Sequence, residues 1–168
     1  MTQNDIASLI MNRFKETNSK VNHVIDQRWI MHGLYSKLNP KEQELLNPAI
    51  GDLINSDLIS MDERAGGQCL VLTEKGFDFI YPIDEQQVIS NIQRTILGEF
   101  KRTNSRVNHI IQDRWISMTL VPSLNPKEQN LVEKAINELI ENELISYENR
   151  NGMNCMVLQQ KGFDTIYE

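Results

Sequence analysis

Few side chains in this sequence have the types and spacing that catalysis or metal binding requires. His23 and His109 are each accompanied by one cysteine in the same half of the chain, Cys69 or Cys155, which is too few ligands for zinc. No carboxylates are paired in an apolar setting, and no nucleophile–base motif or phosphate-binding glycine pattern occurs. We therefore expect no enzyme, no metal site, no cofactor and no small-molecule substrate.

Contact with phosphate is the one chemistry that the residue types do suggest. A polar and basic run lies near the start of each half of the chain, and one further arginine lies late in each half. Lys, Arg, Ser and Asn are typical ligands of phosphate oxygens. The alternative is that these residues bind no phosphate. In that case the polar residues serve only to end a helix, and the cations balance acidic helices of the other half or of another chain. The candidate phosphate contacts are Lys15, Asn18, Ser19, Lys20, Arg28, Arg64, Lys101, Asn104, Ser105, Arg106, Arg114 and Arg150.

These runs occur twice because the chain contains one unit twice. Residues 14–23 recur as residues 100–109, and this offset of about 86 residues holds without a gap along the chain. Roughly half of the aligned positions are identical, which chance does not produce. We predict two tandem domains of like fold, residues 1–84 and 85–168.

The spacing of apolar residues predicts the elements that position the basic runs. Ile6, Ile10 and Phe14 indicate an amphipathic first helix, which the polar run should end. Residues 21–25 fit either a short extended piece or the start of the next helix. Asp26 is a candidate N-cap of a second helix that carries Trp29.

The third helix has the clearest local pattern. Asn39 is a good N-cap, Pro40 suits the first turn, and Glu42 follows the cap by three residues. An apolar stripe at helical spacing continues over residues 45–54. Pro48 interrupts this stripe in the first copy, whereas the second copy has Lys134, so we expect a kink or a restart in the first copy only.

After the third helix the pattern becomes β-like. Residues 58–61 and 69–72 are short apolar runs, and the polar, glycine-containing residues 62–67 between them predict a hairpin turn. Residues 73–81 predict a last short helix. The expected fold class is α+β and mainly helical, with three helices, a β-hairpin and a short C-terminal helix in each domain.

This order of elements resembles the winged-helix domain, a helix-turn-helix followed by a hairpin wing. The resemblance is carried by residues 39–81 and 125–167, and Leu-Thr-Glu-Lys-Gly at 72–76 looks like the end of a wing in many bacterial winged-helix regulators. Winged helices usually place the third helix in the major groove of DNA, and others are protein–protein modules. The resemblance therefore implies two tandem winged-helix domains, but it does not choose between these partners.

Charge counts against ordinary docking of the third helix on DNA. The net charge is −6, and the third helices carry more carboxylates than cations, among them Glu44, Asp52, Glu133 and Glu138. In the major groove such a helix would lie among phosphates spaced at about one charge per 1.7 Å of duplex.

Two functions follow as expectations. The leading one is a cytoplasmic tandem winged-helix regulator of transcription, which contacts the phosphates of double-stranded DNA through the basic junctions between its first and second helices. The alternative is an acidic module for self-association or protein–protein interaction, with no nucleic-acid partner. The chain has neither an apolar run of about 18 residues nor a secretory start, so we expect no membrane segment.

Overall fold

The computed structural model describes residues 1–64 and 67–168. It divides into two compact units, Met1–Pro82 and Ile83–Glu168. Each unit is α+β and mainly helical, with one three-stranded antiparallel sheet. The two strands of the first hairpin are described up to Arg64 and again from Gly67. Ala65 and Gly66, at the centre of the predicted turn, lie outside the described residues.

The two units have closely matching orders of elements. The first contains α1 (Gln3–Glu16), β1 (Val24–Ile25), α2 (Pro40–Glu44), α3 (Leu46–Asn55), β2 (Ile59–Arg64), β3 (Gly67–Leu72) and α4 (Glu74–Ile80). The second contains α5 (Glu85–Arg102), β4 (Ile110–Gln112), α6 (Asp113–Trp115), α7 (Pro126–Gln129), α8 (Val132–Glu141), β5 (Ile145–Arg150), β6 (Met153–Leu158) and α9 (Gln160–Tyr167).

The predicted second helix is irregular in both units. In the first unit it consists of π-helical turns over Trp29–Leu34 and a 3₁₀ turn over Tyr35–Lys37. The Asp26 carboxylate accepts a hydrogen bond of 2.8 Å from the backbone N–H of Trp29, as the capping prediction requires. In the second unit, π-helical turns over Ile116–Leu120 follow the short α6.

Residues 21–25, for which the sequence allowed either an extended piece or the start of a helix, end in a strand, β1. β1 pairs with β3, placing Val24 opposite Val71 and Ile25 opposite Leu70, and β3 also pairs with β2. The strand order is therefore β1-β3-β2, and it is β4-β6-β5 in the second unit. This pairing ties the chain that leaves the first helix to the hairpin.

The expectation of a break in the third helix of the first copy only is wrong. Both copies break: α2 ends at Glu44 before α3, and α7 ends at Gln129 before α8. The second unit has Lys134 where the first has Pro48, so the proline does not cause the break. Pro48 instead lies in the first turn of α3, where a missing N–H removes no intrahelical hydrogen bond.

The start of the third helix is a capping box, as predicted. The Asn39 side chain accepts a hydrogen bond of 3.1 Å from the N–H of Glu42, whose carboxylate accepts one of 3.0 Å from the N–H of Asn39. Asn125 and Glu128 form the same pair. Two otherwise unpaired N–H groups are satisfied in each unit, which defines where the helix begins.

Each unit encloses a core of its own. The side chains of Phe14 and Phe100 are fully buried and lie at the same position of α1 and α5. Cys69 and Cys155 are buried in the sheets, as expected for small apolar residues.

The polar run after the first helix forms a Schellman motif. The N–H of Ser19 donates to the carbonyl of Phe14 at 2.9 Å, and the N–H of Asn18 donates to that of Lys15 at 3.0 Å. This closure needs a left-handed residue, and Asn18 has φ 48°. Asn104 has φ 49° and closes α5 in the same way.

This geometry predicts how Asn18 should respond to substitution. We expect Asn18→Ala to lower the free energy of unfolding by about 1 kcal/mol, because a side chain with a Cβ but no local hydrogen bond is strained there. Asn18→Gly should be nearly neutral, since glycine adopts positive φ freely. Urea unfolding measures both changes, and equal losses for the two variants would contradict a backbone role for Asn18.

Candidate functional site

Each unit has an open groove, the junction groove, between the end of the first helix, the first strand, the second helical segment and the end of the hairpin. Its volume is about 460 Å³ in the first unit and about 760 Å³ in the second. The first groove is lined by Arg13, Thr17, Ser19, Asn22, His23, Val24, Ile25, Asp26, Trp29 and Arg64. The second is lined by Glu99, Thr103, Ser105, Asn108, His109, Ile110, Ile111, Gln112, Arg114, Trp115, Met118, Thr119 and Arg150.

The linings of the two grooves are more alike than the units as a whole. Of the ten residues that line the first groove, seven have the identical residue at the matching position of the second. The other three are Arg13, Val24 and Asp26, which correspond to Glu99, Ile110 and Gln112. The seven shared residues are Thr17, Ser19, Asn22, His23, Ile25, Trp29 and Arg64.

Two guanidinium groups and one indole dominate the first junction groove. The Trp29 side chain is half-buried, and the Arg13 guanidinium lies over its ring at 5.4 Å from the centroid, a cation–π arrangement. Arg64 is exposed and donates a hydrogen bond of 2.8 Å to Asp62. This hydrogen bond is the main reason that the pKa of Asp62 lies below its usual value.

The second junction groove holds the same indole with a different arrangement of charge. Arg150 donates to Glu148 at 3.0 Å and to the backbone carbonyl of Asn108 at 3.3 Å. Glu99 replaces Arg13 and pairs with Arg102 at 2.7 Å, and this hydrogen bond lowers the pKa of Glu99. Arg114 supplies the second guanidinium group of this groove in place of the missing Arg13, and its Nε lies 3.0 Å from the sulfur of Met118.

The predicted phosphate contacts are only partly gathered at these grooves. Ser19, Arg64, Ser105, Arg114 and Arg150 line them. Ser19 and Ser105 are buried, and each exchanges a hydrogen bond of 2.9 Å with the preceding Thr17 or Thr103 hydroxyl. The remaining candidates are exposed and lie outside the groove linings: Lys15, Asn18, Lys20, Arg28, Lys101, Asn104 and Arg106.

Sequence reasoning gave His23, His109 and the two tryptophans no binding role, yet all four line the junction grooves. Comparing the two copies would have drawn attention to them. His23 and His109 are exposed but identical, which apolar spacing cannot explain.

A second groove, the third-helix groove, lies in the first unit between the second helical segment, α3 and the hairpin. Its volume is about 590 Å³. Its lining is Gln27, Ile30, Met31, Tyr35, Gln43, Leu46, Asn47, Ile50, Gly51, Ile54, Met61, Gln68 and Leu70. No described residue of this lining is charged.

The third-helix groove is uncharged and partly apolar because of where Asp52 and two methionines lie. Asp52 of α3 accepts a hydrogen bond from the Gln3 side chain of α1 and lies outside the groove lining. The side chains of Met31 and Met61 are 42% and 47% exposed, so apolar surface faces solvent in the groove.

The matching positions of the second unit are acidic and polar. Asp113, Glu133 and Ser117 stand where the first unit has Gln27, Asn47 and Met31. Tyr147 replaces Met61, and desolvation together with a hydrogen bond to Asp113 raises the pKa of Tyr147 to about 12. The two units therefore present different third-helix faces but similar junction grooves.

Residues 1–64 and 67–168 contain no group of three or more His, Cys, Asp or Glu placed to hold a metal ion. Among the same residues, no helix combines the length and apolarity needed to cross a membrane.

Neither the family models nor the curated proteins matched this sequence. Among solved structures, the chain is similar to a chain from the crystal structure of the endosomal complex ESCRT-II (VPS22/VPS25/VPS36), with 14% sequence identity and a TM-score of 0.36. The match covers 95% of this chain and 64% of that one.

Proposed function

We propose that this chain is a non-enzymatic tandem winged-helix protein whose third-helix face binds a protein rather than DNA. One observation carries the proposal. The lining of the third-helix groove, at the position where a DNA-binding winged helix meets the duplex, has no lysine or arginine among the described residues.

Electrostatics disfavours a duplex at this face. Most protein–DNA affinity comes from cations that neutralise phosphates, and the third-helix groove offers none from its described lining. The matching face of the second unit carries Asp113 and Glu133, which would repel phosphate. Of the amides that could recognise bases, Gln43 is already used, because its side chain donates to the carbonyls of Tyr35 and Leu38 at 3.2 and 3.1 Å.

The exposed surface suits a protein partner. Met31 and Met61 are adaptable apolar side chains, and methionine is enriched at protein interfaces, where charged residues are depleted in the central area. Gly51 leaves open space on α3, since a Cβ built there meets no atom within 4 Å. An apolar side chain of a partner can therefore approach the helix closely.

Site-specific photo-crosslinking tests the proposal. A benzophenone side chain at position 31 of the full chain should give a discrete protein adduct in cells, and nuclease should leave this adduct intact. Met61→Glu should abolish the adduct, whereas Leu9→Glu, at a residue 38% exposed on α1, should preserve it. A nuclease-sensitive adduct, or an adduct indifferent to Met61→Glu, would overturn the proposal.

Duplex DNA is the second candidate partner, at the basic junctions. It is favoured by one observation: both copies have a cation at three exposed positions, namely Lys15 and Lys101, Lys20 and Arg106, and Arg28 and Arg114. On this hypothesis Lys20→Gln with Arg106→Gln would weaken binding to all sequences alike and flatten its salt dependence.

A further inference from the structure

We propose that each junction groove binds a short acidic segment of a partner protein, so that one chain binds two such segments. This inference goes beyond the proposed function, because the junction grooves are separate from the third-helix face. The preferred segment alternates a carboxylate with an apolar side chain.

Both grooves offer cations to a carboxylate. The first has Arg13 and Arg64 beside one carboxylate, Asp26, and the second has Arg114 and Arg150 beside Glu99. Asp26 already caps the backbone N–H of Trp29, and Glu99 is already paired with Arg102. Each groove lining therefore has two guanidinium groups and one carboxylate. Arg64 and Arg150 also pair with the exposed carboxylates of Asp62 and Glu148, so a ligand carboxylate would exchange with these weak surface pairs.

Both grooves also offer apolar surface beside the cations. Val24 is 41% exposed and Ile110 is 40% exposed at matching positions of the first strand. A half-buried tryptophan stands in each groove, and Met118 adds apolar surface to the second. A ligand that carries only charge would leave this surface in water, whereas an acidic and apolar peptide covers it.

Comparison of the two copies favours a shared ligand. Copies of a duplicated sequence change independently, and exposed positions of α3 and α8 have diverged, as Asn47 and Glu133 show. Folding explains why Ser19 is the same in both copies, because its side chain is buried. Folding does not explain the identity of His23 and Arg64, because both are exposed. Exposed identical residues also occur elsewhere, as Lys75 and Lys161 show, but seven of the ten lining positions of the first groove are identical in the second. A shared ligand accounts for this higher identity.

The charge balance favours a peptide over a nucleic acid. The chain has a net charge of −6, and the two guanidinium groups of each groove match one or two carboxylates. Duplex DNA presents about one negative charge per 1.7 Å and needs many cations. Two sites on one chain would also strengthen binding to a partner with two acidic segments, provided that both can be reached at once.

The chain contains two tryptophans, and one lies in each groove, so the indole N–H signals of the ¹⁵N-labelled full chain report each site separately. Trp29→Phe and Trp115→Phe assign these two signals. We expect both to move on titration with the capped hexapeptide Glu-Leu-Glu-Leu-Glu-Leu, with two peptides bound per chain. The Lys-Leu counterpart should leave both unmoved.

Matched variants locate the binding. Arg64→Gln should weaken the Trp29 site about tenfold, which corresponds to loss of about 1.4 kcal/mol, and should leave the Trp115 site unchanged. Arg150→Gln should do the reverse, and His23→Ala provides a second variant of the first groove. Lys75→Gln and Lys161→Gln, at exposed matching lysines outside both junction grooves, should change neither site.

Three results would overturn the inference. Indole signals that do not move with the acidic peptide would exclude the acidic-segment sites, while an adduct at position 31 would still support the proposed function. Equal weakening by Lys75→Gln and Arg64→Gln would show a diffuse charge effect. Signals moved by a 12-base-pair duplex but not by the peptide would overturn this inference and favour the second candidate, duplex DNA at the basic junctions.

Discussion

Replacing Gly76 or Gly162 by alanine should destabilise the unit that contains it by about 3 kcal/mol or more, the upper range for inserting an atom into a packed site. A Cβ built on Gly76 lies 1.9 Å from the carbonyl oxygen of Leu58, and one on Gly162 lies 2.1 Å from that of Leu144. Both obstacles are backbone atoms, so no side-chain rotation relieves the clash.

The carbonyl of Leu58 cannot withdraw cheaply. It accepts a hydrogen bond of 2.9 Å from the Thr73 hydroxyl, which itself caps the N–H of Gly76 at 2.9 Å. The glycine therefore allows the last helix to approach the chain that enters the hairpin. In the second unit, the Leu144 carbonyl accepts from the N–H of Gln159 at 3.1 Å.

The chain supplies a matched control for the glycine prediction. A Cβ on Gly51 or Gly98, each inside a helix, meets no atom within 4 Å. Alanine at these positions should stabilise the protein by about 0.4–1 kcal/mol, because it restricts the unfolded chain. Urea unfolding measures both pairs, and similar effects of Gly76→Ala and Gly51→Ala would contradict the close approach.

Phe14→Ala should destabilise the first unit by about 3–5 kcal/mol, because truncating a fully buried phenylalanine leaves a cavity. Phe100→Ala should do the same to the second unit. The buried clusters of the two units share no residue, so we expect each substitution to act on one unit only.

Tryptophan fluorescence separates the two effects. In a Trp115→Phe background, Trp29 reports the first unit, and Phe14→Ala should lower its unfolding midpoint. In a Trp29→Phe background, Trp115 should keep its midpoint when Phe14 is replaced. If both reporters lost stability together, the halves would not be independent folding units.

Local chemistry made some elements predictable. The capping box at Asn39 and the helix stop near Asn18 depend on side chains within a few residues, and both are found as expected. The break before α3 is not caused by Pro48, because it occurs equally where Lys134 replaces the proline. The strand at Val24 depends on its pairing with Val71, which no local pattern contains.

The candidate sites were less predictable for the same reason. Charge runs placed Lys15 and Lys20 among the binding residues, but they lie outside the junction groove, and Arg64 enters it from a distant hairpin. Trp29 is partly buried against the core of the first unit, and Arg13 lies over its ring. The uncharged third-helix groove becomes evident only once Asp52 is seen to hydrogen-bond Gln3 of α1.

Titration of a fluorescein-labelled 20-base-pair duplex with the full chain at low salt tests the central claim most directly. We expect no saturable rise in anisotropy up to about 100 µM protein, the weak end of the range for non-specific DNA binding. The claim that the third-helix face binds protein rather than DNA would be contradicted by saturation at micromolar protein that weakens steeply with salt and is lost on Asn47→Glu with Met61→Glu.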